Sequence, residues 1–168
     1  VEPGENVVVT GDTSTDKRVL DAIMNAAYIV GANPVLVYVP TNEKAYAEPI
    51  APLGNAVAVA DVWIELSYSS IMLCESWRKA IDFGCRYINL TGMDVTMIVK
   101  CIGRVDVASV VELGETLKAK MEAANEIIVK DDNGTYLTAR NEGRPVRHSG
   151  QLEPFKGYPF IMCGQISW

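Results

Sequence analysis

The sequence predicts an α/β fold: a mainly parallel Rossmann-like sheet with flanking helices, followed by an antiparallel β-hairpin region. Three observations predict it. Short apolar runs alternate with segments of helical period through about residue 124, the pattern of β-α-β units. The pattern then changes to a two-residue period around Asp131-Asp132-Asn133-Gly134, where Asn-Gly is a strong hairpin signal. The chain has 168 residues, 49% hydrophobic and 21% charged. That length buries roughly 70% of its unfolded surface, and that composition excludes disordered, collagen-like and coiled-coil chains.

The elements follow in order. Asn6-Val7-Val8-Val9-Thr10 is a continuous apolar run, as in a strand buried on both faces of a parallel sheet, and Gly11-Asp12-Thr13 is expected to break it. Thr13 and Asp16 have the spacing of a capping box. They would open a helix with Val19, Leu20, Ile23, Ala26, Ala27 and Val30 on its apolar face, ended by Gly31. Pro34 to Val39 reads as the second strand, and a loop runs on to about Pro49. A short helix near Leu53 to Ala60 precedes the third strand, Val62 to Leu66. A helix through Trp77 to Phe83, closed by Gly84, leads to the fourth strand, Arg86 to Leu90. Thr91 and Asp94 repeat the capping spacing before a helix that Gly103 ends, and another helix spans roughly Asp106 to Ala124. Glu126 to Lys130 and Thr135 to Arg140 flank the hairpin turn. Two domains are expected: 1–124, Rossmann-like, and 125–168, the hairpin and the start of a second domain.

The net charge of −6 argues against nucleic-acid and anionic-membrane partners, which want clustered Lys and Arg. No apolar stretch approaches the ~18 residues of a membrane span, and no signal peptide is visible, so a cytoplasmic location is expected. Cys74, Cys85, Cys101 and Cys163 include no C-x-x-C pair and sit in apolar runs; buried, reduced thiols are expected. His148 is the single histidine, so one copy of the chain cannot assemble a metal site from two imidazoles. Val1 at one end and Ile166-Ser167-Trp168 at the other read as the ends of a piece of something longer or processed.

In an open parallel sheet, ligands collect beyond the C-terminal strand ends. There the sequence places Gly11, Asp12, Thr13 and Ser14, then Glu65, Ser67 and Tyr68, then Thr91, Gly92 and Asp94, with no Lys or Arg. The first strand-to-helix turn lacks G-x-G-x-x-G and the P-loop ending, and its acid would repel a pyrophosphate. A polar small-molecule substrate suits this rim, with Asp12, Thr13, Tyr68 and Asp94 as candidate binding residues. Asp16 and Asp94 also have a capping explanation. Glu65 interrupts an apolar run, where a carboxylate needs a partner or a raised pKa, and is a candidate catalytic residue. His148, in a basic loop with Arg140, Arg144 and Arg147, is the other, as a general base; a solvated loop histidine is the competing expectation.

Several stretches together resemble a known family. Pro3-Gly4-Glu5-Asn6-Val7 leads into Thr10-x-Asp12-Thr13-x-Thr15-Asp16; Ala60-Asp61-Val62-Trp63-Ile64-Glu65-Leu66 follows; then come Leu90-Thr91-Gly92-Met93-Asp94-Val95 and Ile102-Gly103-Arg104-Val105-Asp106. The set is similar to the aminopeptidase T family, most of all to its branch named for 2,5-dihydroxypyridine 5,6-dioxygenase. Gly164-Gln165-Ile166-Ser167-Trp168 resembles that family's mid-chain stretch, with Cys163 where a proline is usual. The resemblance implies the N-terminal half of a metal-dependent enzyme, whose divalent metal (Fe or Zn) is held in the missing half and by no residue of this chain. This half would supply pocket wall and assembly contacts, and the implied partners are the remaining half or a second chain, and further copies in a homo-oligomer. Either ring-opening dioxygenation or amide hydrolysis, metal-dependent or autoprocessed, would fit. A non-catalytic Rossmann-like module for small ligands stays open beside them.

Overall fold

The computed structural model describes residues 1–149, 159–160 and 165–168. They form two compact units, one of residues 1–105 with 159–160 and the other of residues 106–149 with 165–168.

The first unit runs β1 (Asn6–Asp12), α1 (Lys17–Ile29), β2 (Asn33–Val39), α2 (Ala51–Val57), β3 (Val62–Glu65), α3 (Glu75–Phe83), β4 (Arg86–Asn89) and α4 (Val95–Ile98). The last helix widens into a π-helical turn, Val99–Gly103. The strands lie in the order β2-β1-β3-β4, all parallel, and the short strand Pro159–Phe160 extends the sheet beside β4. This is the expected α/β architecture. Val7, Val9 and Val62 face a cluster holding Val19, Leu20 and Ala27 of α1, with Val95 and Ile98 of α4 packed against it. Val8, Trp63 and Tyr87 face Leu53 and Val57 of α2 and Ala80 of α3. Helices therefore cover both faces, which is why β1 reads as a continuous apolar run.

The first strand extends two residues further than expected. Gly11 and Asp12 stay in register with Tyr38 and Val39, so the strand ends after Asp12. The glycine answers a close approach: a Cβ at residue 11 would lie 2.8 and 2.9 Å from the methyls of Leu20, which is itself buried.

Both expected capping boxes are corrected in the same sense. Asp16, not Thr13, is the N-cap of α1, accepting from the Arg18 N–H. Asp94, not Thr91, caps α4, accepting from the Met97 N–H at 2.8 Å. The intervening residues cannot be helical: Ser14 N–H donates to Asp12 in an Asx turn, and Gly92 takes φ +71°. In α3 the cap is Cys74, whose Sγ accepts from the Trp77 N–H, and Gly84 at φ 98° closes the helix as expected.

In the second unit, Asp106 caps α5 (Val107–Glu122) by accepting from the Ser109 N–H and hydroxyl. The expected hairpin follows, β5 (Glu126–Lys130) antiparallel to β6 (Tyr136–Arg140). Asp131 shapes its turn, accepting from the N–H groups of Asn133 and Thr135 and from the Thr135 hydroxyl; Gly134 supplies φ +98°. β7 (Arg147–Ser149) pairs antiparallel with the strand Gln165–Ser167, and both pack on α5. Cys74 and Cys85 are buried free thiols, and burial pushes the Cys85 thiol up to about 12. Cys101 is exposed, because it lies on the open π-helical turn, and corrects the expectation of burial; Cys163 lies outside the described residues.

The Gly11 contact yields a direct test. Gly11→Ala is expected to lower the unfolding free energy by about 1–3 kcal/mol, the cost of overpacking a filled site. Adding Leu20→Val should recover part of that loss in urea unfolding. Equal stability of Gly11→Ala and wild type would show that the close approach is not a constraint.

Candidate functional site

Strand β1 connects to β2 on one side and has β3 on the other. The order therefore reverses between β1 and β3, the switch point where open α/β sheets form a crevice. A cleft of about 280 Å³ lies there, lined by Asp12, Val39, Pro40, Thr41, Asn42, Pro49, Ile50, Leu53, Ser67, Ser69 and Ile71. Asp12 and Val39 end β1 and β2 there and Ser67 lies two residues past β3; among the described residues no Lys, Arg or His stands in its wall.

Two buried acids hold the loop that forms one side of this cleft. Asp12 is 1% exposed. Its carboxylate accepts from the N–H groups of Ser14 (3.0 Å) and Ser69 (3.1 Å), and the Thr15 hydroxyl lies 3.1 Å from both Asp12 Oδ1 and the Leu66 carbonyl. Glu65 is fully buried. It accepts from the Ile71 N–H at 2.6 Å and from the Tyr87 hydroxyl, with the Ser70 hydroxyl and the Asn89 amide each at 3.4 Å. Ile71 and Ser69, which line the cleft, are thus fixed from beneath by a carboxylate each.

The neighbours of Glu65 follow from register. Glu65 pairs with Asn89 and Trp63 with Tyr87, so all four side chains project to the α2–α3 face. Tyr87 is flanked edge-on by Trp63 and Trp77, at centroid distances of 4.9 and 6.0 Å. Burial pushes the Glu65 carboxyl above its usual range, opposed by the hydrogen bonds from Tyr87, Ile71 and Ser70 and reinforced by the negative charge of Asp12. Burial, followed by the adjoining Glu65 charge, raises Tyr87 as well. The polar partner and the raised pKa expected for a carboxylate in this apolar run are both present.

The remaining candidates lie elsewhere. Thr13 does not line the cleft; its hydroxyl meets that of Thr41 at 2.9 Å, and it accepts from the Thr41 N–H at 3.0 Å, tying two rim loops together. Tyr68 is 64% exposed and outside the lining. Asp94 is engaged as the α4 cap. His148 belongs to the second unit, on β7 rather than in a loop. Its side chain has no exposed surface, and Nδ1 lies 2.9 Å from Glu115 Oε1. A Cβ at Gly114 of α5 would fall 2.1 Å from its Nε2, so the ring rests where the helix lacks a side chain. The expectation of a solvated histidine is corrected on that ground. The basic residues Arg140, Arg144 and Arg147 are exposed.

Thr41 and Asn42 line the cleft but were not anticipated as site residues. They follow β2 after Pro40, and the strand-end rule that selected residues after the other strands selects them too. Glu48 was also missed. Its carboxylate accepts from the N–H groups of Glu75 (2.9 Å) and Ser76 (3.2 Å) and from the Ser76 hydroxyl, so an internal acid fills the N-terminus of α3. Those hydrogen bonds, the Ser76 hydroxyl first, hold Glu48 below the usual carboxylate range. Among the described residues no group of three or more His, Cys, Asp or Glu could hold a metal ion; these residues do not fit a metal centre.

The raised Glu65 pKa gives a pH dependence with a defined sign. The folded chain binds this proton more tightly than the unfolded chain, so the stabilisation is complete below the ordinary carboxyl range and is lost as pH rises through the raised value. Glu65→Gln abolishes that component. The difference in unfolding free energy, wild type minus variant, should fall with rising pH across this window. Below the window, where wild type carries the neutral acid, the variant should match it to within about 1 kcal/mol, because both offer one carbonyl acceptor and one donor side. A difference that rises with pH would contradict the assignment.

No protein-family model matches the chain, and no curated protein matches it. Among solved structures, 2,5-dihydroxypyridine dioxygenase from Pseudomonas putida KT2440 is similar, with a TM-score of 0.66 and 17% identity over 95% of this chain and 48% of that one. The chain spans about half the length of that protein. The likeness shows the α/β fold.

Proposed function

We propose that the chain is the α/β part of a metal-dependent enzyme of the dioxygenase kind, and that its cleft forms a wall of the substrate pocket. The observation that supports this is the fold match across 95% of the chain to half of a dioxygenase. In this proposal the metal is held by residues other than those described, and supplies the chemistry of oxygen activation. The chain's own residues bind and shape. Thr41, Asn42, Ser67 and Ser69 offer neutral hydrogen-bonding groups, while Pro40, Ile50 and Leu53 exclude water from one side. Glu65 acts as a positioning residue through Ile71 and Ser70, since it lies beneath the loop and not in the cleft.

A second reading, a non-catalytic small-ligand module, draws on one observation. Among the described residues Asp12 is the sole titratable group in the cleft wall, and both its oxygens are already bonded. The two readings separate on protein purified from its natural source. The enzyme reading predicts a species heavier than 18.3 kDa, or a co-purifying second chain, together with bound metal and oxygen uptake on adding 2,5-dihydroxypyridine. An 18.3 kDa species free of metal, without a second chain and inert to oxygen would eliminate the enzyme and leave the module.

A further inference from the structure

Among the described residues β5 and β6 form a sheet of two strands, and an isolated pair of strands is marginally stable in water. The Asn141 N–H donates to the Asn125 carbonyl, and the Asp131 N–H to the Thr135 carbonyl. In this register the odd-numbered residues of β5 therefore direct their backbone groups to β6. Glu126, Ile128 and Lys130 turn theirs outward, along an edge without proline or bulge. Ile128 is 48% exposed. One face of the hairpin is wholly apolar: Ile127 stands opposite Ala139, and Val129 opposite Leu137, these last two 39% and 50% exposed. The edge of the larger sheet differs. In β2 the odd-numbered residues face β1, since the Asn33 N–H donates to Glu5 and the Val39 carbonyl accepts from Thr13. Pro34 then falls among the outward positions and withholds a donor there.

We propose that β5 is a self-pairing edge, to which a second copy of this chain adds its own β5, antiparallel about a two-fold axis at Ile128. The sequence Glu126-Ile127-Ile128-Val129-Lys130 is its own complement in that register. Glu126 of each copy meets Lys130 of the other, Ile127 meets Val129, and Ile128 meets Ile128. Each Glu126 then lies between Arg140 of its own hairpin and Lys130 of the second copy. Lys130 keeps its place over Tyr136, 5.0 Å from the ring centre. On the opposite face the two apolar patches join into one. Charge selects the axis. Moving it to Val129 would set Glu126 against Asp132, and moving it to Ile127 would set Lys130 against Ala124 and leave both ion pairs unmade. The inference concerns assembly and is independent of the cleft and of any reaction.

The test is sedimentation velocity on the full chain from micromolar to millimolar concentration, with amide hydrogen exchange at both ends of that range. Wild type is expected to dimerise as concentration rises. Exchange should slow at the amides of residues 126, 128 and 130 and stay unchanged at 136, 138 and 140. Glu126→Lys or Lys130→Glu alone sets like charges opposite each other, and should weaken dimerisation at least about tenfold. Mixing the two single variants should restore it, because every facing charged pair is then of opposite sign. Misfolded variants could not rescue each other in this way, so restoration by mixing reads the interface itself. A chain that stays monomeric across the whole range would overturn the proposal. So would slowed exchange confined to β6, single variants that dimerise as wild type does, or a mixture that associates no better than its components.

Discussion

Glu65 has no exposed surface, yet its carboxylate is the common acceptor for a backbone N–H of the β3–α3 loop, a phenol from β4, and, at longer range, a serine hydroxyl and an asparagine amide. A buried charge is costly unless surrounded in this way, and the surrounding donors are equally costly to leave unmatched. Each side of the arrangement therefore requires the other. The aromatic pair Trp63–Tyr87 packs around it, and Trp63 in turn donates its indole N–H to the buried Thr10 hydroxyl at 3.0 Å. A polar strip thus runs through the α2–α3 face of an otherwise apolar sheet. It fixes which loop conformation follows β3, and with it one side of the cleft.

The position of the cleft is a consequence of topology, and its character a consequence of charge placement. With β1 flanked by β2 and β3, the loops leaving β1 and β3 diverge to opposite faces and leave a gap. Asp12 bridges that gap by capturing Ser69 N–H across it. Elsewhere the same kind of fold uses a helix N-terminus at such a gap to hold phosphate. Here an acid ends β1, and the N-terminus of α3 is closed by Glu48. Acids therefore stand at two of the places where such a sheet could present backbone N–H groups to a phosphate.

Much of this was legible in the residues. Alternating apolar and helical segments placed the four parallel strands and the hairpin, because burial on both faces writes itself as uninterrupted Val, Ile and Trp. The anomalous carboxylate in Val62-Trp63-Ile64-Glu65 pointed to its own network for the same reason. The caps were harder. Thr13 and Asp16, or Thr91 and Asp94, fit a capping box by spacing alone; only the Asx turn at Asp12 and the left-handed Gly92 decide that the aspartate starts the helix. Gly11 was misread as a strand breaker, since a glycine forced by a crossing leucine looks the same in sequence as one forced by a turn. Thr41, Asn42 and Glu48 depend on where a loop folds back, which no periodicity encodes.

The one histidine sharpens what the chain can contribute. His148 is committed to α5, its Nδ1 to Glu115 and its ring to the space above Gly114. The pairing is felt by the acid, whose carboxyl the imidazole hydrogen bond holds below its usual range. Among the described residues of the first unit, the acids at the cleft are Asp12, with both oxygens already bonded, and Glu65, enclosed beneath Ile71. A group so enclosed exchanges protons with a ligand only if the loop opens, and opening costs the hydrogen bonds that define the cleft. Proton transfer and cleft integrity therefore compete for the same carboxylate. Within the proposed enzyme, that competition favours a wall-shaping part for Glu65, with recognition by the neutral groups above it.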